Sequence, residues 1–67
     1  MYLPSLKAEM ARKNVLNRDI AALLGVRLAT VTDKMSGRTD FTMSEAVKIK
    51  AFLNVDIPLE ELFERAE

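Results

Sequence analysis

The stretch NRDIAALLGVRLATVTDKMS, residues 17–36, decides the fold of this 67-residue chain. Its first eight residues have apolar side chains at helical spacing, with Asn17 as a candidate N-cap and Asp19 in the first turn. Gly25 follows directly, and glycine reaches the positive φ of a helix end at little cost. This pattern predicts a short helix over residues 17–24.

A second short helix is predicted beyond this glycine, over residues 27–36. Val31 and Met35 are four positions apart, so they share one helix face, and Gly37 supplies a second left-handed end. Ala21 is small enough to let the two helices approach closely, and the stiff, β-branched Val31 suits their contact. Two short helices joined by a glycine-containing turn indicate a helix-turn-helix, although a packed helical hairpin with no binding role gives the same pattern.

Three further helices are predicted around this motif, which makes the chain all-α with five helices. Residues 4–13 have apolar positions at helical spacing and are followed by Asn14, which tolerates a left-handed conformation. Thr42 and Glu45 have the spacing of a capping box, so a fourth helix begins there. Pro58 is predicted at the first position of a fifth helix, where its missing N–H costs nothing. The apolar residues assigned to these helices are Leu3, Leu6, Met10, Ala46, Ile49, Leu53, Leu59, Leu62 and Phe63.

Composition excludes most catalytic chemistry. The chain has no cysteine and no histidine, so it lacks the thiolate nucleophile, the usual zinc ligands and the commonest general base. We therefore predict no enzyme, no cofactor, no metal site and no small-molecule substrate. An enzyme would need a carboxylate pair among Glu60, Glu61 and Glu64, which are more simply the solvated face of the last helix.

Length and hydropathy predict a single domain over residues 1–67 without a membrane partner. A chain of 67 residues has enough apolar material for one core. No apolar run approaches the roughly 20 residues that cross a bilayer, and residues 1–5 do not resemble the start of a signal peptide. We expect a cytoplasmic protein.

The charges are distributed unevenly although the formal net charge is zero. Residues 1–39 contain seven basic and three acidic side chains, a net charge of +4, whereas residues 40–67 contain three basic and seven acidic ones, a net charge of −4. Such a division suits an anionic partner held by the N-terminal half. Ordinary scatter of surface charge is the alternative explanation.

Five segments carry a family resemblance: LKAEM at 6–10, NRDIAALLGV at 17–26, TV at 30–31, SGR at 36–38 and PLEELF at 58–63. With them the chain resembles the phage Cro and repressor-type helix-turn-helix proteins, also called the xenobiotic-response-element family of transcriptional regulators. The resemblance implies a lambda-repressor-like domain and a sequence-specific regulator of phage or prophage origin. It also implies a homodimer that binds a short, palindromic operator in double-stranded DNA, with two recognition helices one DNA turn apart.

The resemblance implies a DNA-binding site of nine residues in this chain. Asn17 lies where the family usually has a glutamine that donates to a phosphate, and Arg18, Arg27 and Arg38 are expected to anchor phosphates. Thr39 joins them in the loop that follows the recognition helix, expected at about residues 28–36. The groove-facing positions are Arg27, Leu28, Ala29, Thr32 and Asp33.

Two of the groove-facing residues depart from the family pattern. Leu28 and Ala29 stand where many relatives have glutamine or another long polar side chain, and neither can form a bidentate hydrogen bond with a base. Direct recognition then depends on thymine methyl contacts, on the hydroxyl of Thr32 and on acceptance from cytosine N4 by Asp33. Arg27, at the start of the helix, could instead reach a guanine or a phosphate. We expect a weak or shape-dependent sequence preference.

Met10 and Met35 are a second departure, because many relatives have an ion pair at these positions. Apolar residues can replace a buried ion pair without loss of stability. Both methionines are therefore predicted to lie in the core.

Apolar residues at positions that are commonly polar in the family support an alternative function. Leu16, Leu23 and Leu28, together with Ala22, could form an exposed patch that binds protein. In that case the same fold serves as an interaction module, of the kind that neutralises a toxin or pairs with an antirepressor.

The region around the fourth and fifth helices is where the family commonly pairs two copies. Here it offers Phe52, Ile57, Pro58 and Leu59, although core packing is an equally good use for some of them. The resemblance thus implies a homodimer without fixing its contacts.

Overall fold

The computed structural model describes residues 2–66, which form five helices. They are α1 (Pro4–Arg12), α2 (Asn17–Leu24), α3 (Leu28–Ser36), α4 (Met43–Leu53) and α5 (Leu59–Leu62). No strand occurs within residues 2–66. The predicted all-α class with five helices is confirmed. In the same part of the chain, no helix has the length and apolarity that a membrane crossing requires.

Every helix contributes one completely buried side chain to a common core. Leu6, Ile20, Val31, Ile49 and Leu62, one from each helix in chain order, are 0% exposed. Burial of an aliphatic side chain of this size contributes about 1.5–3 kcal/mol, so each helix is tied to the core by at least one such contact. The same cluster includes four further core residues predicted from the sequence, Leu3, Met10, Met35 and Leu53.

The turn between α2 and α3 has the geometry expected for a helix-turn-helix. Gly25 has a φ of +69°, and the next residue, Val26, donates its backbone N–H to the Ala21 carbonyl at 3.0 Å. A Cβ at Gly25 would meet nothing within 4 Å, so glycine is required by the backbone conformation and not by space. Ala21 is 6% exposed and belongs to the core cluster, as its small size predicted.

Three helix starts lie one residue away from their predicted positions, among them that of α3, which begins at Leu28 and not at residue 27. Leu16, not Asn17, is the N-cap of α2, because Asp19 three residues later supplies the capping bond: its Oδ2 accepts from the Leu16 N–H at 2.8 Å. Pro58 is the N-cap of α5 and not its first helical residue. Because α5 ends at Leu62, Glu60 and Glu61 lie in this helix and Glu64 beyond it.

The connection between α3 and α4 follows the sequence prediction closely. Gly37 ends α3 with a φ of +92°. At the start of α4, the Glu45 N–H donates to Thr42 Oγ1 at 3.1 Å, and the Thr42 N–H donates to Glu45 Oε1 at 2.9 Å. This reciprocal pair is the predicted capping box, and it fixes where α4 begins.

Candidate nucleic-acid interface

The solvent face of α3 carries the predicted groove-facing residues. Leu28 is 51% exposed, Ala29 and Thr32 are exposed, and the Asp33 side chain is 46% exposed. The opposite face of the helix is held in the core by Val31. One side of α3 therefore anchors the helix while the other is free for a partner.

Positive charge lies at the N-terminal ends of α2 and α3. Arg27 is the exposed N-cap of α3, Arg18 is the exposed second residue of α2, and Asn17 is the half-buried first one. Neither arginine makes an ion pair within the part of the chain that the structure describes. Since the first N–H groups of a helix have no intrahelical acceptor, these ends combine cations with free donors, which suits a phosphate.

The loop after α3 presents the last two candidates, Arg38 and Thr39, with exposed side chains. Their backbone N–H groups donate to the Asp33 carbonyl at 2.9 and 3.4 Å, respectively. Arg38 Nε also lies 3.6 Å from Asp33 Oδ1, in a pair whose side chains are 77% and 46% exposed. An exposed pair contributes about 0–1 kcal/mol, so a phosphate can replace the carboxylate as the partner of Arg38.

Lys34 links the end of α3 to the start of α4, a role that the sequence did not reveal. Its Nζ donates to Glu45 Oε1 at 2.9 Å and to the Asp40 carbonyl at 3.1 Å, and it lies 5.8 Å from the centroid of the Phe41 ring. The side chain is 12% exposed. Lys34 therefore stabilises the scaffold and is not a free cation of the candidate site.

The carboxylate of Glu45 is held in its charged form by these neighbours. The backbone hydrogen bond from Thr42 is the largest cause that lowers the pKa of Glu45 below its ordinary value of 4.5, and Lys34 acts in the same direction while burial opposes both. Glu45 is therefore ionised at neutral pH. The position of the loop after α3 depends in part on that charge.

The apolar residues of the alternative interaction patch lie in different surroundings. Leu16 is 50% exposed and Ala22 is exposed, whereas Leu23 is half-buried and packs against the core. Leu16 lines a shallow groove with Met10, and neither Leu23 nor Leu28 contributes to that groove. Leu23 is therefore not part of an exposed patch, because its side chain packs against the core.

A different apolar surface lies on α4. Met43, Val47 and Ala51 are four positions apart and exposed, and Phe52, about 100° further round the helix from Ala51, is 47% exposed; we call these four residues the outer face of α4. Met43 and Val47 are 71% and 49% exposed. Of the residues predicted to pair two copies, Phe52 and Pro58 are exposed, whereas Ile57 and Leu59 are partly buried.

Comparison with known proteins identifies the fold. The sequence matches no protein-family model, and no curated protein matches it. A solved structure described as a transcriptional regulator from Listeria innocua is similar to this chain, with a TM-score of 0.77 and 22% sequence identity. The similarity covers 100% of this chain, which spans 61% of the Listeria innocua chain. The five-helix chain therefore shares the fold of a transcriptional regulator.

Proposed function

We propose that this chain is a DNA-binding transcriptional regulator that inserts α3 into the major groove of double-stranded DNA. The observation that carries the proposal is the free face of α3, formed by Leu28, Ala29 and Thr32 and flanked by Arg27 and Arg38. A helix fixed on one side and free on the other, with cations at both ends, fits the major groove and the phosphates along its edges. The fold shared with a transcriptional regulator supports the same function.

Contacts with phosphates position the protein in this proposal. Arg18, Arg27 and Arg38 neutralise phosphates, and Asn17 and Thr39 donate hydrogen bonds to phosphate oxygens. The net charge of +4 in residues 1–39 attracts the duplex. The net charge of −4 in residues 40–67 repels it, so the duplex approaches from the side of residues 1–39.

Contacts with bases are fewer. The Thr32 hydroxyl can donate a hydrogen bond to a base or accept one from it, and the Asp33 carboxylate can accept one from cytosine N4. Leu28 and Ala29 can contact thymine methyl groups. None of these is the bidentate contact that contributes about 1–3 kcal/mol of discrimination. We therefore propose a modest sequence preference, to which the shape of the DNA contributes.

In more detail, we propose a Cro or repressor-type protein of phage or prophage origin that acts as a homodimer. Two copies related by a two-fold axis would recognise a palindrome whose half-sites are one DNA turn apart. The outer face of α4 offers exposed apolar side chains for this pairing, and Phe52 belongs both to it and to the predicted dimer region.

The test is selection of bound duplexes from a random pool at two salt concentrations. We expect an enriched palindrome at both, with an affinity that falls steeply as salt rises because phosphate contacts release counterions. Binding that is independent of salt, or failure to retain any duplex, would contradict the proposal.

A protein-interaction module is the second candidate, and the half-exposed Leu16 and Leu28 favour it. Leu16→Glu tests it better than a change at Leu23, because Leu23 supports the core. Loss of a protein partner with unchanged DNA binding would support this function. DNA binding that is lost with Leu28→Glu and kept with Leu16→Glu would support the first one.

A further inference from the structure

Tyr2 contacts both ends of the loop formed by residues 37–40, whose two middle residues are Arg38 and Thr39. Tyr2 precedes α1, so it is far from this loop in sequence, and its side chain is half-buried. It touches Gly37 at the beginning of the loop and Asp40 at its end. The two phosphate-contact candidates lie between these contacts with their side chains exposed.

The first contact is between the Tyr2 ring and the backbone of Gly37. A Cβ at Gly37 would lie 3.0 Å from Tyr2 Cε1 and 3.2 Å from both Cδ1 and Cζ. The ring therefore covers the position that a side chain would occupy. Glycine is needed here for space as well as for its φ of +92°.

The second contact is made at Asp40. The Tyr2 hydroxyl donates to Asp40 Oδ1 at 3.3 Å, and Arg65 Nη2 lies 3.6 Å from the same oxygen. The Asp40 carbonyl also accepts from Lys34 Nζ at 3.1 Å. Side chains from the N-terminal segment, from α3 and from the segment after α5 thus converge on one loop residue.

We infer that Tyr2 is a positioning residue, which holds loop 37–40 in the conformation that presents Arg38 and Thr39 to phosphates. The inference rests on the proposed function. Without Tyr2, the loop keeps its hydrogen bonds to the Asp33 carbonyl but loses the ring that covers Gly37 and the hydroxyl bound to Asp40. Binding DNA then requires the loop to be ordered, and this ordering costs conformational entropy, which lowers the affinity.

Tyr2 lies at the margin of the core, where it is partly buried and packs against the core cluster. Tyr2 lines a cavity of about 300 Å³, together with Phe41 and Phe63 among others, so a smaller residue enlarges an existing space. Tyr2 is not one of the fully buried side chains of the core. A positioning role can be tested when the stability of each variant is measured beside its affinity.

The experiment compares wild type with Tyr2→Leu, which keeps an apolar side chain, and with Tyr2→Phe, which loses the hydroxyl alone. Affinity for a short duplex of mixed sequence is measured over a series of salt concentrations, and amide hydrogen exchange is measured on the free protein. Thermal unfolding of each variant is recorded as the control for stability.

For Tyr2→Leu we expect an affinity about tenfold lower, with the salt slope unchanged and faster exchange at the Arg38 and Thr39 amides. For Tyr2→Phe we expect a loss within about threefold, because the ring remains on Gly37. An unchanged slope separates positioning from contact, since a lost phosphate contact lowers the slope by about one.

Wild-type affinity in Tyr2→Leu, or a slope that falls by about one, would overturn the inference. If the wild type itself bound no duplex, the proposed function would fail instead. Should Tyr2→Leu not fold, Asp40→Ala decides: loss of the shared acceptor lowers affinity in our account, whereas simple removal of a negative charge would raise it.

Discussion

At the scale of single residues, Gly25 and Gly37 have the same backbone requirement in different surroundings. Gly25→Ala introduces only a left-handed alanine, at about 1–2 kcal/mol, because the new Cβ meets nothing within 4 Å. Gly37→Ala has a backbone cost at least as large, because its φ of +92° lies beyond the usual left-handed region, and its Cβ would also lie 3.0 Å from the Tyr2 ring. We predict a larger decrease in the free energy of unfolding for Gly37→Ala, measured by urea denaturation. The excess should shrink in a Tyr2→Leu background, and an unchanged excess there would contradict this explanation.

Asp33 lies close to one of the proposed phosphate contacts, because its carboxylate pairs with Arg38 at 3.6 Å. We predict that Asp33→Asn raises affinity for duplexes of any sequence about three- to tenfold at low salt, since it removes repulsion and frees the arginine. Asp56→Asn, exposed in the connection between α4 and α5, changes the net charge equally and is the matched control. Equal effects in the two variants, measured by titration of labelled duplex, would refute a local role for Asp33.

Alanine substitutions of Arg38 and Thr32 should affect DNA binding in different ways. Arg38→Ala is expected to weaken all duplexes about equally and to lower the salt slope by about one. Thr32→Ala should leave the slope unchanged and alter the preference at one base pair. Binding isotherms on the selected palindrome and on its point variants, each at several salt concentrations, distinguish the two patterns; identical patterns would count against the proposed orientation of α3.

At the scale of helices, the connection between α3 and α4 should make stability depend on pH. The folded-state pKa of Glu45 is below its ordinary value of 4.5, so its stabilising contribution is complete above that pH. The contribution is lost as pH falls through the folded-state pKa. We predict that the free energy of unfolding declines on acidification below about pH 4.5, and that the decline is smaller in Glu45→Gln.

Denaturant unfolding across this pH range checks the prediction for Glu45. Glu60→Gln, an exposed substitution with no ion pair within residues 2–66, is the matched control and should change stability at neutral pH by no more than about 0.5 kcal/mol. A Glu45→Gln variant with the acid sensitivity of the wild type would show that another group is responsible.

The helices could be predicted because their signals are local. Gly25, Gly37 and Asn14 have positive φ values, and the Thr42–Glu45 box forms as its spacing indicates. The N-cap of α2 was misplaced by one residue because a carboxylate at the third position can cap a helix whose preceding residue has no polar side chain. The sequence alone does not show whether the side chain of the N-cap residue or a carboxylate three residues later will make the hydrogen bond at the start of a helix.

Contacts between distant residues were the part that sequence reasoning missed. Lys34 was counted among the basic residues of the N-terminal half, yet its ammonium group is bound to Glu45, 11 positions away. Glu9 is buried in α1 and accepts two hydrogen bonds from Arg12 Nη1, at 3.0 and 3.2 Å. Which charges become internal depends on how the helices pack, and a helical pattern does not specify that packing.

At the scale of the whole molecule, the outer face of α4 should determine whether two copies associate. We predict that Val47→Glu converts a dimer into a monomer and lowers affinity for a palindrome at least about tenfold, because the second half-site contact is lost. Ala11→Glu, an equally acidic change on an exposed position of α1, should do neither. Sedimentation equilibrium checks this, and a wild type that is monomeric while bound to both half-sites would contradict it.

The exposure of the candidate residues was predictable from the sequence, whereas the contacts that hold them were not. The positions expected to face the groove lie on the solvent side of α3, since the buried face of that helix could be recognised from Val31 and Met35. The pairing of Arg38 with Asp33 and the contacts of Tyr2 with the loop could not be inferred, because they depend on three-dimensional proximity. The sequence therefore predicted which side chains are exposed better than it predicted the contacts that position them.

The close approach of Tyr2 to Gly37 also has a consequence for how this sequence can diverge. Positions 2 and 37 are coupled, because a ring at the first leaves no room for a side chain at the second. In homologous sequences we expect an aromatic residue at position 2 to co-occur with glycine at position 37. Relatives with asparagine or another residue at 37 should carry a small residue at 2, so the two columns of an alignment should covary.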